Sequence, residues 1–428
     1  MEGKLLIVGS DFGTYDIALE AKRMGLYVIT ADYFPTTPTK EVSDEAWLVS
    51  TADVDEMERL CRKHGVNGVT YGASDFNMEK SRDLCRRLGL PWYSSNDYST
   101  TVARNKSEFR KICERVGALI AEGMALREHP SQEVLNAITY PVVIKPVDKG
   151  ANRGMSYCNN EDELLAAYDK ALSITDADIV LCERQLHGQE WVANYVMANG
   201  EARLLYFGRE FHQEGKTANL YSFINTTANG LKQYLEDVNG KVKEVFREAG
   251  FENGIAWVET MRDEDGHFYL IEPAYRYSSE TSYKLYEKVN GFNTVRWMIE
   301  TAMGVEHDVS DLPDDLITAC KDCVGSYHLF AERNGTVDSI EGIDELTSME
   351  NVSFDLPKRP GSEIAQGLNL GLVRIYAPDI DSMIKTLKRI NEVFFIKDAD
   401  DKNLFIRFTG YDELRDDFNT GLRDFDML

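Results

Sequence analysis

The dipeptide Asp265-Gly266 constrains this chain more than any other two residues, because it fixes the register of the strands on either side. Two apolar runs, 255–261 and 268–271, flank the charged tip that contains it. Asp-Gly between such runs is a strong hairpin signal, since a two-residue type I′ turn needs positive φ at both central positions. With those two residues as the loop, Glu259 stands directly opposite Glu272; a longer loop would shift the pairing. Opposed residues share a face, with Cβ atoms about 4.5–5.5 Å apart, and like charges placed there repel. Solvation explains Glu264 and Asp265 at the tip, but Glu259 and Glu272 are embedded in Trp, Val, Leu and Ile. A divalent cation between the two carboxylates is the expected answer.

At 428 residues the chain is long enough for two or three domains. A net charge of -25 with no compensating basic block argues against a nucleic-acid backbone or an anionic membrane as partner. A strand begins within a few residues of Met1 and no apolar run approaches membrane-spanning length, so a cytoplasmic protein is expected. The 7 cysteines read as reduced thiols rather than a disulfide framework. Their one close pair, Cys320 and Cys323, leads into a strand-like run and reads as core or surface thiols. The 7 histidines form no metal-ligand spacing.

In chain order, strands at 4–9, 27–30 and 68–71 alternate with helices at 16–24 and 78–88, which means a parallel sheet wound on both faces. The first turn lacks Gly-x-Gly-x-x-Gly, so a dinucleotide cofactor is not indicated. Loops 9–14 and 72–75, at the carboxyl ends of strands, are candidate substrate contacts. A polar link at 94–101 leads to a helix carrying Asn105-Lys106-Ser107. A β-branched strand then reads Val142-Val-Ile-Lys145-Pro and ends in the basic glycine-bounded loop 148–154, whose backbone N–H groups suit polyphosphate. Beyond it come a helix at 161–172, a strand at 179–182, and a hinge with acids at Glu183 and Glu190. A hairpin follows with its turn at Asn199-Gly200, and a helix spans 284–303. From about 309 the chain turns strand-rich, with a turn at Asn334-Gly335, a helix at 380–391, a return strand at 404–408 and an acidic surface cap over the last residues.

Taken in order, these features resemble the ATP-grasp superfamily, in the group that includes biotin carboxylase, carbamoyl-phosphate synthetase and the purine-biosynthesis ligases. The resemblance spans nearly the whole chain. It rests on Lys106, on Lys145 before the loop 148–154, on Glu183 and Glu190 seven residues apart, and on Glu259, Glu272 and Arg276. It implies an α/β architecture: a parallel-sheet domain over 1–96, an ATP-grasp domain over 97–308 and a small β-rich domain over 309–428. It also implies that Lys106 and Lys145 hold phosphates, beside Asp148, Asn152, Arg153 and Gly154 of the loop. Glu183, with Arg184 and the backbone near Leu186, would receive adenine, and Glu190 the ribose. Glu259 and Glu272 would hold Mg²⁺ or Mn²⁺, and Arg276, with Lys145, would face the transferring phosphoryl group.

The chain departs from the common Glu-x-Asn-Pro-Arg pattern by reading Glu272-Pro-Ala-Tyr-Arg276. Ala274 cannot coordinate, so either fewer protein oxygens hold the second metal, with water and phosphate completing its shell, or a side chain such as Glu280 helps, or turnover is weak; the first is the expectation. The activity implied is that of an ADP-forming carboxylate-amine ligase working through an acyl phosphate. Bicarbonate activation and a nucleotide-binding scaffold without turnover are the alternatives. The acceptor pocket is expected among the N-terminal loops, the segment 209–225 with Lys216 and Tyr221, and the residues after Arg276. Similar proteins commonly dimerise through the N-terminal domain, so a homodimer is an open expectation.

Overall fold

The structure is a computed structural model that describes residues 1–11, 13–150, 153–212, 221–278, 281, 283–315 and 323–425. The sequence-predicted Asn152, Lys216, Glu280 and Cys320 lie outside the described residues. Strands β1 (Lys4–Val8), β2 (Tyr27–Asp32), β3 (Glu45–Leu48) and β4 (Gly68–Tyr71) form a parallel sheet in the order β3-β2-β1-β4. Leu5 and Ile7 of β1 enter one apolar core with Ile17 and Ala21, while Leu6 and Val8 enter another with Met57 and Leu84. The sheet is therefore covered on both faces, as parallel sheets require. The sequence reading missed β3 and took Gly68–Tyr71 as the third strand. In β3 only Trp47 is buried, so this edge strand carries no apolar run to betray it.

A second, antiparallel sheet has the order β5-β8-β6-β7, from β5 (Gly123–Leu126), β6 (Val142–Pro146), β7 (Ser156–Cys158) and β8 (Val180–Arg184). The helix Glu161–Leu172 closes its core through Leu164, Tyr168 and Ala171. The largest sheet takes β9 (Gly188–Ala198), β10 (Glu201–His212), β11 (Tyr221–Thr226), β12 (Gly254–Asp263), β13 (Phe268–Ala274) and β14 (Cys323–Phe330). Short ribbons pair β15 (Gly335–Thr336) with β18 (Glu363–Ile364), and β16 (Ser339–Glu341) with β20 (Phe395–Lys397). With β17 (Val352–Asp355) and β19 (Asn369–Ala377) the large sheet reads β13-β12-β9-β10-β11-β14-β19-β17. The α/β architecture expected from the sequence is thus present, with a parallel sheet first and a large antiparallel sheet behind it.

The hairpin of β12 and β13 corrects one expectation and keeps another. Gly266 has φ 82 while Asp265 is not among the positive-φ residues, so the type I′ turn is not formed. Instead Asp263 N donates to His267 O, and Glu264, Asp265 and Gly266 make a longer loop. Its Asp265 side chain accepts from His267 N and Tyr269 Oη, which favours the longer form. That loop shifts the register by one residue near the tip, where Thr260 faces Leu270. A bulge between Glu259 and Thr260 shifts it back, and Glu259 faces Glu272.

Other segments differ as well. The helix expected at 284–303 is two, Tyr283–Asn290 and Thr294–Ala302, broken at Gly291 (φ 74) and restarted by the Asn293 side chain capping Arg296 N. Gly335 opens a strand rather than a turn. Segment 404–408 forms no strand and pairs through one isolated bridge, Phe405 with Ala331. The C-terminal helix Tyr411–Phe425 does more than cap the surface, because its fully buried Asp417 accepts from Arg209 Nη1 of β10 at 2.7 Å.

Candidate active site

Asn105 starts the helix Lys106–Val116 by accepting from Ser107 N and Glu108 N, which makes Lys106 its first residue. Lys106 N then donates to Val147 O at 2.9 Å and its Nζ to Lys149 O at 3.1 Å, tying the helix to the loop after β6. From there Lys106 forms an ion pair with Glu272. Burial is the largest influence on Lys106 and acts to lower its pKa. Glu272, Glu259 and Asp75 together outweigh it, and the pKa ends raised.

On the neighbouring sheet Lys145 of β6 lies on the same face as Glu183 of β8, two residue pairs apart in the register. Lys145 Nζ meets Glu183 Oε2 at 2.5 Å, and Arg110 Nη1, from the helix that carries Lys106, meets Glu183 Oε1 at 2.7 Å. Burial pushes the Glu183 carboxyl up, but Lys145 and Arg110 outweigh it and hold the group below the usual carboxylate range. Arg110 escaped the sequence reading, although its four-residue spacing from Lys106 on one helix was a usable signal.

Arg276, just past β13, points back to the N-terminal sheet. Its Nε and Nη2 donate to the two oxygens of Asp75 at 2.6 and 2.9 Å, and its Nη1 to Tyr277 O at 2.9 Å. Among the described residues three of the five guanidinium donors are engaged, and the other two point to a ligand as their partner. Its guanidinium also lies over the Trp257 ring, 5.2 Å from the centroid. Asp11, in the loop after β1, accepts from Ala73 N at 3.0 Å and Asn77 Nδ2 at 2.9 Å. Burial raises its pKa to about 6 even though Asn77, Ala73 and Arg276 act to lower it. The two N-terminal loops singled out in the sequence therefore meet at Arg276.

Beyond Arg276, Thr281, Tyr283 and Lys284 are held from two sides. Tyr283 Oη donates to Asp16 at 2.5 Å, and Lys284 bridges Asp16 and Asp355 at 2.9 and 3.3 Å. The buried Arg374 of β19 holds Asp355 at 2.5 Å and donates to Thr281 Oγ1. Thr281 has φ 52, a conformation that a β-branched residue adopts only when its surroundings impose it.

The remaining predicted residues are less closely gathered. Asp148 accepts from Thr175 Oγ1 and Asp176 N at 2.8 Å each, so both of its oxygens tie the loop to the turn before β8. Arg153 Nε reaches Gly150 O at 3.3 Å, and Gly154 takes φ 79 against Pro146 and Ile174. In the hinge, Arg184 pairs with Asp263 at 2.7 Å, whose other oxygen accepts from His187 N at 2.7 Å. Leu186 is half-buried between them. Glu190 meets His212 Nε2 at 2.9 Å. The sequence reading found no metal-ligand pattern among the histidines, yet Glu190, Glu210 and His212 bring ligand atoms within 4.8 Å of one another. Glu210-Phe211-His212 on one strand, with the acid and the imidazole two apart, was the signal.

Residues 105–309 match the family described as carbamoyl-phosphate synthase L chain, ATP binding domain. The formate-dependent phosphoribosylglycinamide formyltransferase of Nostoc sp. (strain PCC 7120) is 25% identical over 179 residues, 41% of this chain and 45% of that protein. The D-alanine--D-alanine ligase of Saccharophagus degradans is 30% identical over 207 residues, 47% of this chain and 63% of that protein. The chain thus spans about half the length of the curated relatives it matches. Among solved structures, the L-amino acid ligase from Bacillus licheniformis superimposes with a TM-score of 0.78 at 18% identity, over 93% of this chain and 99% of that one. The biotin carboxylase domain of Hydrogenobacter thermophilus 2-oxoglutarate carboxylase gives 0.76 at 17% identity, over 98% and 95%.

Proposed function

From the ATP-grasp character of residues 105–309 and of the fold around them, we propose that this protein is an ADP-forming carboxylate-amine ligase. A substrate carboxylate attacks the γ-phosphorus of ATP, the bond to the β-phosphate oxygen breaks, and an acyl phosphate and ADP result. An amine then attacks the acyl carbon, phosphate leaves with the bonding pair, and the amine proton is lost as the amide forms. Activation is needed because a carboxylate is a poor electrophile at neutral pH.

The observation that carries this reading is Glu259 standing opposite Glu272, with Lys106 ion-paired to Glu272. The donor set is carboxylate oxygen, with Ala274 buried and silent beside it, which fits a hard divalent cation. Bound Mg²⁺ would neutralise charge on the β- and γ-phosphate oxygens. Lys106 and Lys145 would exchange their carboxylate partners for phosphate oxygens. The other two guanidinium donors of Arg276 would meet charge developing on the transferred group. Asp75 keeps that guanidinium fixed, so little reorganisation accompanies the reaction. The meeting of loops at Asp11 and Asp75 supports an acceptor pocket beside Arg276. A cytoplasmic setting is part of the proposal: Cys61, Cys85, Cys113, Cys158 and Cys182 are free and buried, and no helix among the described residues is long and apolar enough to cross a membrane.

The test is ADP and phosphate release from ATP and Mg²⁺ with panels of acids and amines. An acid and amine pair should elicit release that Lys145→Ala lowers by at least about a hundredfold, the scale set by losing one preorganised charge at a developing anion. Release that needs bicarbonate and no amine would replace the ligase with a carboxylase. Binding of ATP without release under any pair would leave a scaffold.

A further inference from the structure

The large sheet opposes a second pair of acids on one of its faces. Glu190 of β9 is the direct cross-strand partner of Glu210 of β10, as Glu259 of β12 is of Glu272 of β13. Glu259 also faces Val192, two residues from Glu190, so both pairs lie on one face. Like charges set directly opposite each other are destabilising. The first pair is answered by Lys106. The second has beside it His212, two residues along β10 from Glu210, with its Nε2 2.9 Å from Glu190 Oε2. One atom from each of Glu190, Glu210 and His212 lies within 4.8 Å of the others, the only such group of three among the described residues. A single ion can touch three atoms so spaced after small side-chain rotations, since metal–oxygen and metal–nitrogen bonds run about 2.0–2.2 Å.

We propose that in the nucleotide-free protein Glu190, the acid that the family resemblance assigns to the ribose, forms with Glu210 and His212 a second cation site, for a borderline transition-metal ion of the Mn²⁺, Co²⁺ or Zn²⁺ kind. Two carboxylates bring two negative charges and the imidazole a softer nitrogen. That set discriminates against Mg²⁺, which the all-oxygen pair Glu259 and Glu272 suits better. Glu210 is buried, while Glu190 and His212 are half-buried, so the site has a fixed floor and an open side for water ligands. The strand backbone fixes the positions of all three Cβ atoms before any ion arrives. Coordination would replace the hydrogen bond between His212 and Glu190 with bonds from both to the ion.

The experiment uses untagged full-length protein stripped of metal and titrated with Co²⁺ in the absence of nucleotide, so its outcome does not depend on the ATP reading. One Co²⁺ per chain should bind, with visible d–d absorption. Glu210→Gln and His212→Gln should each weaken binding at least about thirtyfold, within the range that loss of ligand support produces. Glu272→Gln should leave the affinity within about threefold, because that acid lies two strands away from β9. Should Glu210→Gln not fold, His212→Gln at its half-buried position decides alone. Absence of Co²⁺ binding to the parent protein, equal affinity in parent and His212→Gln, or loss in Glu272→Gln alone overturns the proposal.

Discussion

The two lysines of the candidate active site sit in opposite electrostatic settings. At Lys145 a single buried carboxylate, Glu183, is shared by two cations, Lys145 and Arg110. At Lys106 a single half-buried ammonium is shared among Glu272, Glu259 and Asp75. One end of the candidate site thus has a surplus of positive charge and the other a surplus of negative charge. A phosphate chain relieves the first and a divalent cation the second, so a metal nucleotide relieves both at once. Neither end alone would indicate that ligand, because buried ion pairs are also common as structure.

Substitutions can separate these two settings. The largest effect is expected from Glu183→Ala, which leaves Lys145 and Arg110 buried side by side and should cost about 3 kcal/mol of stability. Urea unfolding measures it, and a loss no greater than that of Glu272→Ala would mean the two ends do not differ. Glu272→Ala should cost only about 1 kcal/mol, since Lys106 keeps Glu259 and Asp75 nearby. Its signature is instead a rise of at least about tenfold in the Mg²⁺ needed for half-maximal ADP release.

The smallest effect is expected at Asp11 and depends on pH. Its carboxyl titrates at about 6 in the folded chain against an ordinary 3.8, so the folded form holds its proton longer than the unfolded one. Its contribution is therefore most favourable below pH 3.8 and is lost as pH rises toward about 6, the reverse of Glu183, whose lowered pKa favours the fold as pH rises. Asp11→Asn should be more stable than the parent at pH 7.5 by about 1 kcal/mol, with the partial exposure of the site discounted. That gain should vanish near pH 4. Identical urea midpoints at pH 7.5 would show that Asp11 carries no penalty.

Three Asn-Gly or Asp-Gly pairs show how far local sequence reaches. Asn199-Gly200 takes φ 50 and 80 between paired Ala198 and Glu201, the two-residue turn its sequence predicts. Asp265-Gly266 has the same signature but yields a longer loop, because the Asp265 side chain bonds within it and a bulge absorbs the extra residue. Asn334-Gly335 makes no such turn at all, since Asn334 accepts from Gln366 N and Gly335 pairs with Ile364. The predicted pairing of Glu259 with Glu272 holds although the predicted turn does not. Burial of Trp257, Val258 and Ala274 sets the register at that end of the hairpin.

By itself the sequence determined the elements and their order: apolar runs that become strands, Asn105 that starts a helix at Lys106, and acids spaced so that strand geometry brings them to one face. Those depend on interactions within a few residues, which any chain carrying them would make. Only the tertiary structure decided which charge each functional group meets. Lys145 finds Glu183 and Arg110, Arg276 finds Asp75, and Glu190 finds Glu210 and His212, through sheet order and domain contact rather than proximity along the chain. Electrostatic energy between buried groups depends on distance and desolvation, and both are set by packing that no local pattern encodes.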